Sequence, residues 1–480
     1  MASSFVIRKS QYYDSVFLMR VAKTLSDEPG VTQSAVVMAT DANKELLAEI
    51  GISGAAIDAA TPNDLVVALI ANDPALVDRL LATIDERLQT VSSAKKSAND
   101  RSVDEAAVSN PDSNLVVISV PGPYAAREAR KALEHGKHVF LFSDNVPLDQ
   151  EVELKRLAHQ RGRLVMGPDC GTSLIGGVGI GFANRVRRGP IGVVGASGTG
   201  IQEFTSLVHQ AGSGISHAIG TGSHDLSDAV GGITTLMGMD ALEADPGTRV
   251  IAIVSKPAGN DTLEGLIERI QACKKPVIGC FLGLTDRLQG VGPHFHQALA
   301  IDEAVRLALQ YGPVENRWDE KGAPISQETI QQEVVGWRRE QRYLRGLFAG
   351  GTFCYQTQQV LRDAGLDVYS NAPIDKRYKL ENPEISLEHS VVDLGEDYFT
   401  QGKPHPMIDA TERRKRILAE AQDPEVAILL LDFILGSISS ADPVGDLIEA
   451  IREARSVADR RGGCLTVVAS ICGTDQDVLK

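Results

Sequence analysis

Apolar positions change their spacing several times along the chain, and each change predicts an element. Between Ser10 and Lys23, Tyr13, Val16, Phe17 and Val21 recur at helical intervals, and Val31 to Met38 reads as a strand. Asp41 to Ile50 predicts a helix, Asp64 to Ile70 a strand and Pro74 to Val91 a longer helix. Residues 1–93 are therefore expected to form a small α+β domain. Residues 94–114 are polar and aperiodic and read as a flexible linker.

From residue 115 the pattern becomes βαβ. Leu115 to Val120 is a continuous apolar strand, as expected when helices cover both sheet faces. The turn Pro121-Gly122-Pro123 leads into a helix from Tyr124 to His135. Lys137–Phe142, Asp149–Gln160 and Arg163–Met166 then read as strand, helix and strand. A second run contains strands at Ile191–Val194, Val250–Val254 and Pro276–Cys280, and a charged connector spans 313–340. A third block begins near Arg345, with strands at Val391–Leu394, Val426–Leu431 and Leu465–Ser470. The expected class is α/β, several doubly wound domains after the small α+β one. The last strand runs into Cys472-Gly473-Thr474-Asp475 without the usual covering helix, which reads as a truncation at Lys480.

Composition narrows the function. At about 150 residues per domain, 480 residues suggest roughly three domains. Lys and Arg number 48 against 63 Asp and Glu, a net charge of −15 that argues against nucleic acid and anionic membranes as partners. Small anionic metabolites remain, because a site can be locally positive. Met1-Ala2-Ser3-Ser4-Phe5 lacks a signal-peptide layout, and the apolar run Val426–Leu431 ends at Asp432. Cys170, Cys273, Cys280, Cys354, Cys464 and Cys472 are scattered without a CxxC pair, as in a reduced, cytoplasmic protein.

The strongest chemical signal is Gly195-Ala196-Ser197-Gly198-Thr199-Gly200, a glycine-rich turn between a buried strand and a helix. Helix-terminal amides there favour an anion, Ser197 and Thr199 can donate, and Gly198 and Gly200 permit close approach. The alternative is a tight βα turn with an ordinary cap. Gly167-Pro168-Asp169-Cys170 also follows a strand; Asp169 could orient a ligand or bond its own turn, and Cys170 reads better as a packing thiol than as a nucleophile. Lys256 is either a counter-charge or a solvated lysine. Gly350-Gly351-Thr352 and the loop with Gly436 and Ser437 repeat the helix-entry logic, so two helix N-termini could grip one anion. His405, between Pro404 and Pro406, is either a general acid–base near neutral pH or a structural residue. His294-Phe295-His296 lacks a third ligand, so no metal is expected.

Residues 115–300 resemble the α subunit of succinyl-CoA synthetase and related nucleoside-diphosphate-forming acyl-CoA synthetases. The carriers are Ile118-Ser119-Val120-Pro121, Gly167-Pro168-Asp169-Cys170, and Gly192-Val193-Val194 leading into Ser197-Gly198-Thr199. Residues 345–475 resemble the β-subunit ligase domain through Gly350-Gly351-Thr352 and the Gly436 to Asp442 loop. The resemblance implies a CoA-binding-like Rossmann domain at 115–185, an α-like ligase domain at 186–312 and a flavodoxin-like β-type ligase domain at 341–480. Gly195 to Glu203 and Pro404-His405-Pro406-Met407-Ile408-Asp409 resemble the FdrA family more specifically.

Departures from the synthetases matter. Leu282 to Ala300 holds no Gly-His-Ala-Gly loop, and Ser255 or Lys256 stands where a glutamate partners the phosphohistidine. The FdrA resemblance implies one subunit of a heteromeric carbamoyltransferase in allantoin and purine catabolism. With two other subunits it would convert oxalurate and phosphate to oxamate and carbamoyl phosphate. Phosphate or carbamoyl phosphate would be a substrate, with no cofactor and no CoA. In that reading Gly198, Thr199, Gly200, Gly436 and Ser437 bind phosphate, Asp169, Gly350, Gly351 and Thr352 bind substrate, and Ser197, Lys256 and His405 are catalytic. Two rivals stand beside it: an acyl-CoA synthetase component, and a non-catalytic scaffold.

Overall fold

The structure, a computed structural model, describes residues 2–11, 13, 15–85, 88, 100, 102–284, 287–312, 325–401 and 403–477. It divides into two units, Met1–Ser113 and Asn114–Lys480. In the first, β1 (Ala2–Arg8), α1 (Ser15–Ser26), β2 (Val31–Met38), α2 (Asp41–Glu49), α3 (Ala55–Asp58), β3 (Leu65–Ala71) and α4 (Pro74–Ala82) follow one another. β3 lies between β1 and β2 and is antiparallel to both. Its alternation divides the interior. Leu65, Val67 and Leu69 pack with Leu18 and Val21 of α1 and Leu76 of α4. Val66 and Ala68 pack with Leu47 of α2 and Ile57 of α3.

A small N-terminal α+β unit is present, extending to Ser113 where 93 was expected, and it has one strand more, because the polar start Ala2-Ser3-Ser4 conceals β1. The expected linker at 94–114 contains α5 (Val103–Ser109) instead of unbroken coil. The Ser102 hydroxyl caps this helix by accepting the Glu105 N–H at 3.2 Å. Residues 86–87 and 89–91 of the expected long helix, residues 94–99 of the linker, and residues 313–324 of the connector lie outside the described residues.

The second unit opens with β4 (Leu115–Ile118), α6 (Gly122–Glu134), β5 (His138–Leu141), α7 (Leu148–Gln160) and β6 (Val165–Met166), a parallel sheet of three strands. A larger sheet is built from β7 (Thr172–Ile175), β8 (Val178–Gly181), β9 (Arg188–Gly195), α8 (Gly198–Gln210), β10 (Ile215–Gly220), α9 (Ile233–Ala244), β11 (Val250–Ser255), α10 (Asn260–Ala272), β12 (Val277–Phe281), β13 (Phe295–Ala298) and α11 (Ile301–Ala308). Its strand order is β13-β12-β11-β9-β10-β7-β8. After α12 (Gln327–Val335) come β14 (Tyr343–Phe348), α13 (Gly351–Asp363), β15 (Ser390–Asp393), α14 (Asp397–Thr400), α15 (Thr411–Glu420), β16 (Val426–Ile434), α16 (Gly445–Arg460) and β17 (Thr466–Cys472), in the order β15-β14-β16-β17.

In both larger sheets the first parallel strand has the second on one side and the third on the other. That is the doubly wound, flavodoxin-like arrangement, and its crevice opens at the carboxyl end of the first strand. β9 and β14 are those strands. The β7–β8 hairpin, expected within the 115–185 domain, joins the larger sheet instead: Leu174 pairs with Ala218 of β10, and Ser173 accepts the Gly220 N–H at 3.0 Å. α12 occupies part of the expected connector and docks on β17, where Thr466 donates to Glu333 at 2.7 Å and accepts from the Trp337 indole at 3.0 Å.

Gly195 ends β9 where a Cβ would stand 1.9 Å from the Val254 carbonyl oxygen of β11. Gly195→Ala should therefore push these strands apart and lower stability by about 1–3 kcal/mol, read as a lower urea midpoint. Gly265→Ala in α10, where nothing lies within 4 Å, should be neutral or stabilising by about 0.5–1 kcal/mol. Equal midpoints for the two variants would contradict the close approach.

Candidate functional site

The two crevices meet. α8 and α13, each the first helix of its sheet, face one another by their N-termini. Ser197 caps α8, its hydroxyl accepting the Gly200 N–H at 3.3 Å, and shares a hydrogen bond of 2.7 Å with Thr352 of α13. Thr199 donates to the Thr352 hydroxyl at 2.8 Å and accepts the Thr352 N–H at 3.4 Å. Three hydroxyls thus share two hydrogen bonds, which leaves one O–H to donate elsewhere. The leading amides Gly198, Thr199 and Gly351 have no acceptor among the described residues. Thr172, buried with its hydroxyl unpartnered, stands 3.7 Å from where a Cβ of Gly198 would be. Ser255, at the end of β11, is a second buried hydroxyl without a partner.

Carboxylates surround this junction. Asp432 of β16 is wholly buried; it accepts the Ala349 and Gly350 N–H groups at 2.8 and 2.9 Å and the Arg413 guanidinium at 2.9 Å. Burial raises its carboxyl and Arg413 opposes that rise. Asp393, at the end of β15, accepts the Gly395 N–H at 2.9 Å, and its other oxygen lies 2.7 Å from the Cβ position of Gly351. Burial pushes Asp393 up to about 6, against the pull of Lys256. Lys256 is exposed, with its ammonium 5.4 Å from the centre of the Tyr355 ring in α13. Its charge opposes the rise of both the Asp393 and Asp169 carboxyls.

Asp169 has φ +53°, a conformation that Asp tolerates better than most residues. Solvent reaches it, yet it is deep among protein atoms, and desolvation pushes its carboxyl up to about 6 against a hydrogen bond from Ser223. Cys170 is buried and its thiol is pushed up to about 12, a packing residue. His405 does join the site: a Cβ on Gly395 would be 2.9 Å from its Nε2 and 3.2 Å from Asp393 Oδ1. Its acid–base role near neutral pH does not fit this setting. Burial, helped by Arg413, pushes it down to about 4. Nδ1 accepts the Met407 N–H at 3.2 Å, and the ring packs on Phe182 at 5.5 Å. At pH 7 it is a neutral donor through Nε2.

Gly436 and Ser437, expected at the phosphate, pack against the other sheet. The Ser437 N–H and hydroxyl both donate to the Ala183 carbonyl, at 3.2 and 3.0 Å, and a Cβ on Gly436 would be 2.0 Å from the Phe182 carbonyl oxygen. The loop joins the sheets, and α13 supplies the second helix end. Sequence reasoning also missed the cluster behind the site: Lys155, Glu151 and Asp225, all wholly buried. Glu151 and Lys155 at i and i+4 read as a surface pair, and nothing local marks them as interior.

Family models place these elements. One described as "CoA binding domain" matches residues 186–272, one described as "CoA-ligase" residues 347–480, and one described as "AllF, heavy metal-associated domain" residues 1–106. The uncharacterized protein YahF of Escherichia coli (strain K12) is 41% identical over 483 residues, covering 99% of this chain and 92% of that one. The chain belongs to the YahF family. The α subunit of the ADP-forming succinate–CoA ligase of Methanothermobacter thermautotrophicus is 30% identical over 177 residues, and the match spans 36% of this chain and 59% of that subunit. The apo dinucleotide-forming acetyl-coenzyme A synthetase 1 of Ca. Korarchaeum cryptofilum overlaps 75% of each chain at 19% identity with a TM-score of 0.34.

This YahF-family chain is thus CoA-ligase-like in its second unit. A heavy metal does not fit the first. Residues 1–106 contain neither Cys nor His, the donors that soft metals require. No cluster of metal-ligating side chains occurs among the described residues, and none of the helices there is long and apolar enough to cross a membrane.

The shifted groups set opposite pH dependences. The folded-state values of Asp169 and Asp393 are raised, so their contribution is full below about 3.8 and lost as pH rises through about 6. His405 is depressed, so its contribution is full above about 6.5 and lost as pH falls toward about 4. Asp393→Asn should therefore cost more stability at pH 4 than at pH 7, measured by urea unfolding at both. A pH-independent cost would refute the assignment.

Proposed function

We propose that the chain is the acyl-transferring component of an acyl-CoA synthetase-like enzyme, moving an acyl group from CoA to inorganic phosphate to form an acyl phosphate. The observation that carries this reading is the meeting of two helix N-termini with free amides at Gly198, Thr199 and Gly351. A phosphate there takes backbone donors from both sheets, plus the spare hydroxyl of the Ser197–Thr352–Thr199 chain and that of Thr172. Opposed positive helix ends favour its charge, and the same donors stabilise charge developing on an attacked carbonyl. Lys256 offsets the carboxylates, and Asp393 can hold a proton at about pH 6 beside Gly351.

One observation favours a second reading, carbamoyl transfer from oxalurate to phosphate within a three-subunit enzyme of the FdrA kind. The sheet β4-β5-β6 has only three strands, half of a dinucleotide-type fold. At the start of α6, a Cβ on Gly122 would be 2.4 Å from the carbonyl oxygens of both Asp144 and Asn145. Carbonyl oxygens packed this closely against the turn disfavour the pyrophosphate of a CoA-type ligand, which supports a reading without CoA. In this reading the phosphate site is unchanged, the leaving atom is nitrogen, and CoA plays no part.

Incubation with phosphate and either succinyl-CoA or oxalurate, with partner subunits present, separates the readings by product: acyl phosphate or carbamoyl phosphate. Ser197→Ala and Thr352→Val should each raise the KM for phosphate on the order of 10- to 100-fold, the worth of a hydrogen bond to a charged group, about 1.5–3 kcal/mol. Unaltered KM and turnover in both variants would leave the scaffold reading standing.

A further inference from the structure

A recess is lined by Ser223, His224, Ser227, Asp228, Ser255 and Lys256; Lys256 on its wall also acts on Asp393, which lies against Gly351. Behind it the fold buries an unbalanced charge. The Lys155 ammonium spends its three hydrogens on Glu151 Oε1 at 2.7 Å, Asp225 Oδ1 at 2.8 Å and the Thr221 carbonyl at 2.9 Å. Asp225 is further satisfied by the Thr234 N–H at 3.2 Å and by the Thr235 N–H and hydroxyl at 2.9 and 2.7 Å. One buried cation thus faces two buried carboxylates. The oxygen left over is Glu151 Oε2, which has no hydrogen-bond partner within the interior. What faces it is His224 Nδ1, at 3.4 Å.

A buried carboxylate oxygen without a partner is costly, and a protonated imidazole on Nδ1 removes that cost. With Nδ1 turned to Glu151, Nε2 is the nitrogen left to the recess, on a side chain that is 56% exposed. We propose that His224, oriented by Glu151, is the proton donor to the leaving group of the transfer reaction. This rests on the phosphate-dependent transfer proposed above, in either of its forms.

The step balances. A phosphate oxygen forms a bond to the carbonyl carbon as the bond from that carbon to sulfur or nitrogen breaks. The bonding pair stays on the departing atom, which takes the Nε2 proton, and the proton that phosphate loses restores the imidazolium. The groups around His224 suit that role: Glu151 of α7, Asp169 in the turn before β7, and Asp397 of α14 all hold its proton more tightly, against burial and beside Lys256 in the same recess. His405 lacks this setting.

The test is His224→Gln in the assembled enzyme, assayed with phosphate and two kinds of donor. With the alkyl thioester or amide donor, kcat should fall about 10²- to 10⁴-fold while the KM for phosphate stays within about twofold. With a nitrophenyl ester, whose leaving group departs as an anion, the variant should match the parent within about threefold. Glu151→Gln should move the alkaline limb of the parent's kcat–pH profile to lower pH. Equal losses on both donors, or no loss on either, would overturn the role of His224 and leave the phosphate reading intact. No phosphate-dependent transfer by the unaltered enzyme would overturn both.

Discussion

Two helices that meet N-terminus to N-terminus oppose like partial charges, and the second unit is organised around offsetting that repulsion. Part of the offset is internal. Asp432 takes the Ala349 and Gly350 amides before α13 begins, and Asp393 lies against Gly351. Part is the hydroxyl bridge of Ser197, Thr352 and Thr199, which brings the helix ends within hydrogen-bond reach. The amides of Gly198, Thr199 and Gly351 are what remains, and the proposed phosphate is the group that would complete the arrangement.

The sheets are fastened beside this junction. The Gln202 side chain of α8 donates to the Phe182 and Leu435 carbonyls at 2.6 and 3.0 Å, and Asn184 reaches Leu435 and Asp477 at 2.8 Å. His209 pairs with Asp475 at 2.7 Å. These are single directional bonds from α8 and the loop beside it, so they set the separation of the two helix ends more sharply than apolar packing does. A glycine is required at Gly350 and Gly436 for the same reason: both are approached by the opposite sheet, Gly350 by Thr199 and Gly436 by Phe182. Position, not chain flexibility, explains them.

Much of this architecture was legible in the sequence because parallel strands covered on both faces are written as continuous apolar runs. Val250–Val254 became β11 with one residue added, and Ile191–Val194 is the apolar centre of the longer β9, Arg188–Gly195. β1 was hidden because an edge strand needs fewer apolar residues, and α5 because seven residues with no buried side chain carry no periodicity. The Gly195–Gly200 turn was legible as a strand–turn–helix junction, and β9 does run through it into α8. The identity of its opposing partner was not: Gly350-Gly351-Thr352 and Gly436-Ser437 have the same local chemistry, and only tertiary structure decides which donors are spent on Ala183. Burial was invisible for the same reason at Lys155, Glu151 and Asp225, whose residue types read as surface.

The balance of charge separates the two histidines that a mechanism could use. His405 is enclosed with Arg413 nearby, an environment that expels its proton, so it serves as a neutral donor fixed by Met407 and Phe182. His224 faces the one oxygen of the buried Glu151 carboxylate that Lys155 does not reach, an environment that retains the proton until a better acceptor arrives. A group leaving a carbonyl carbon, whether sulfur or nitrogen, is such an acceptor. In the proposed reaction, then, neither the anion held at the helix ends nor the proton carried by His224 depends on whether sulfur or nitrogen departs, because each acts on an atom that both kinds of donor share.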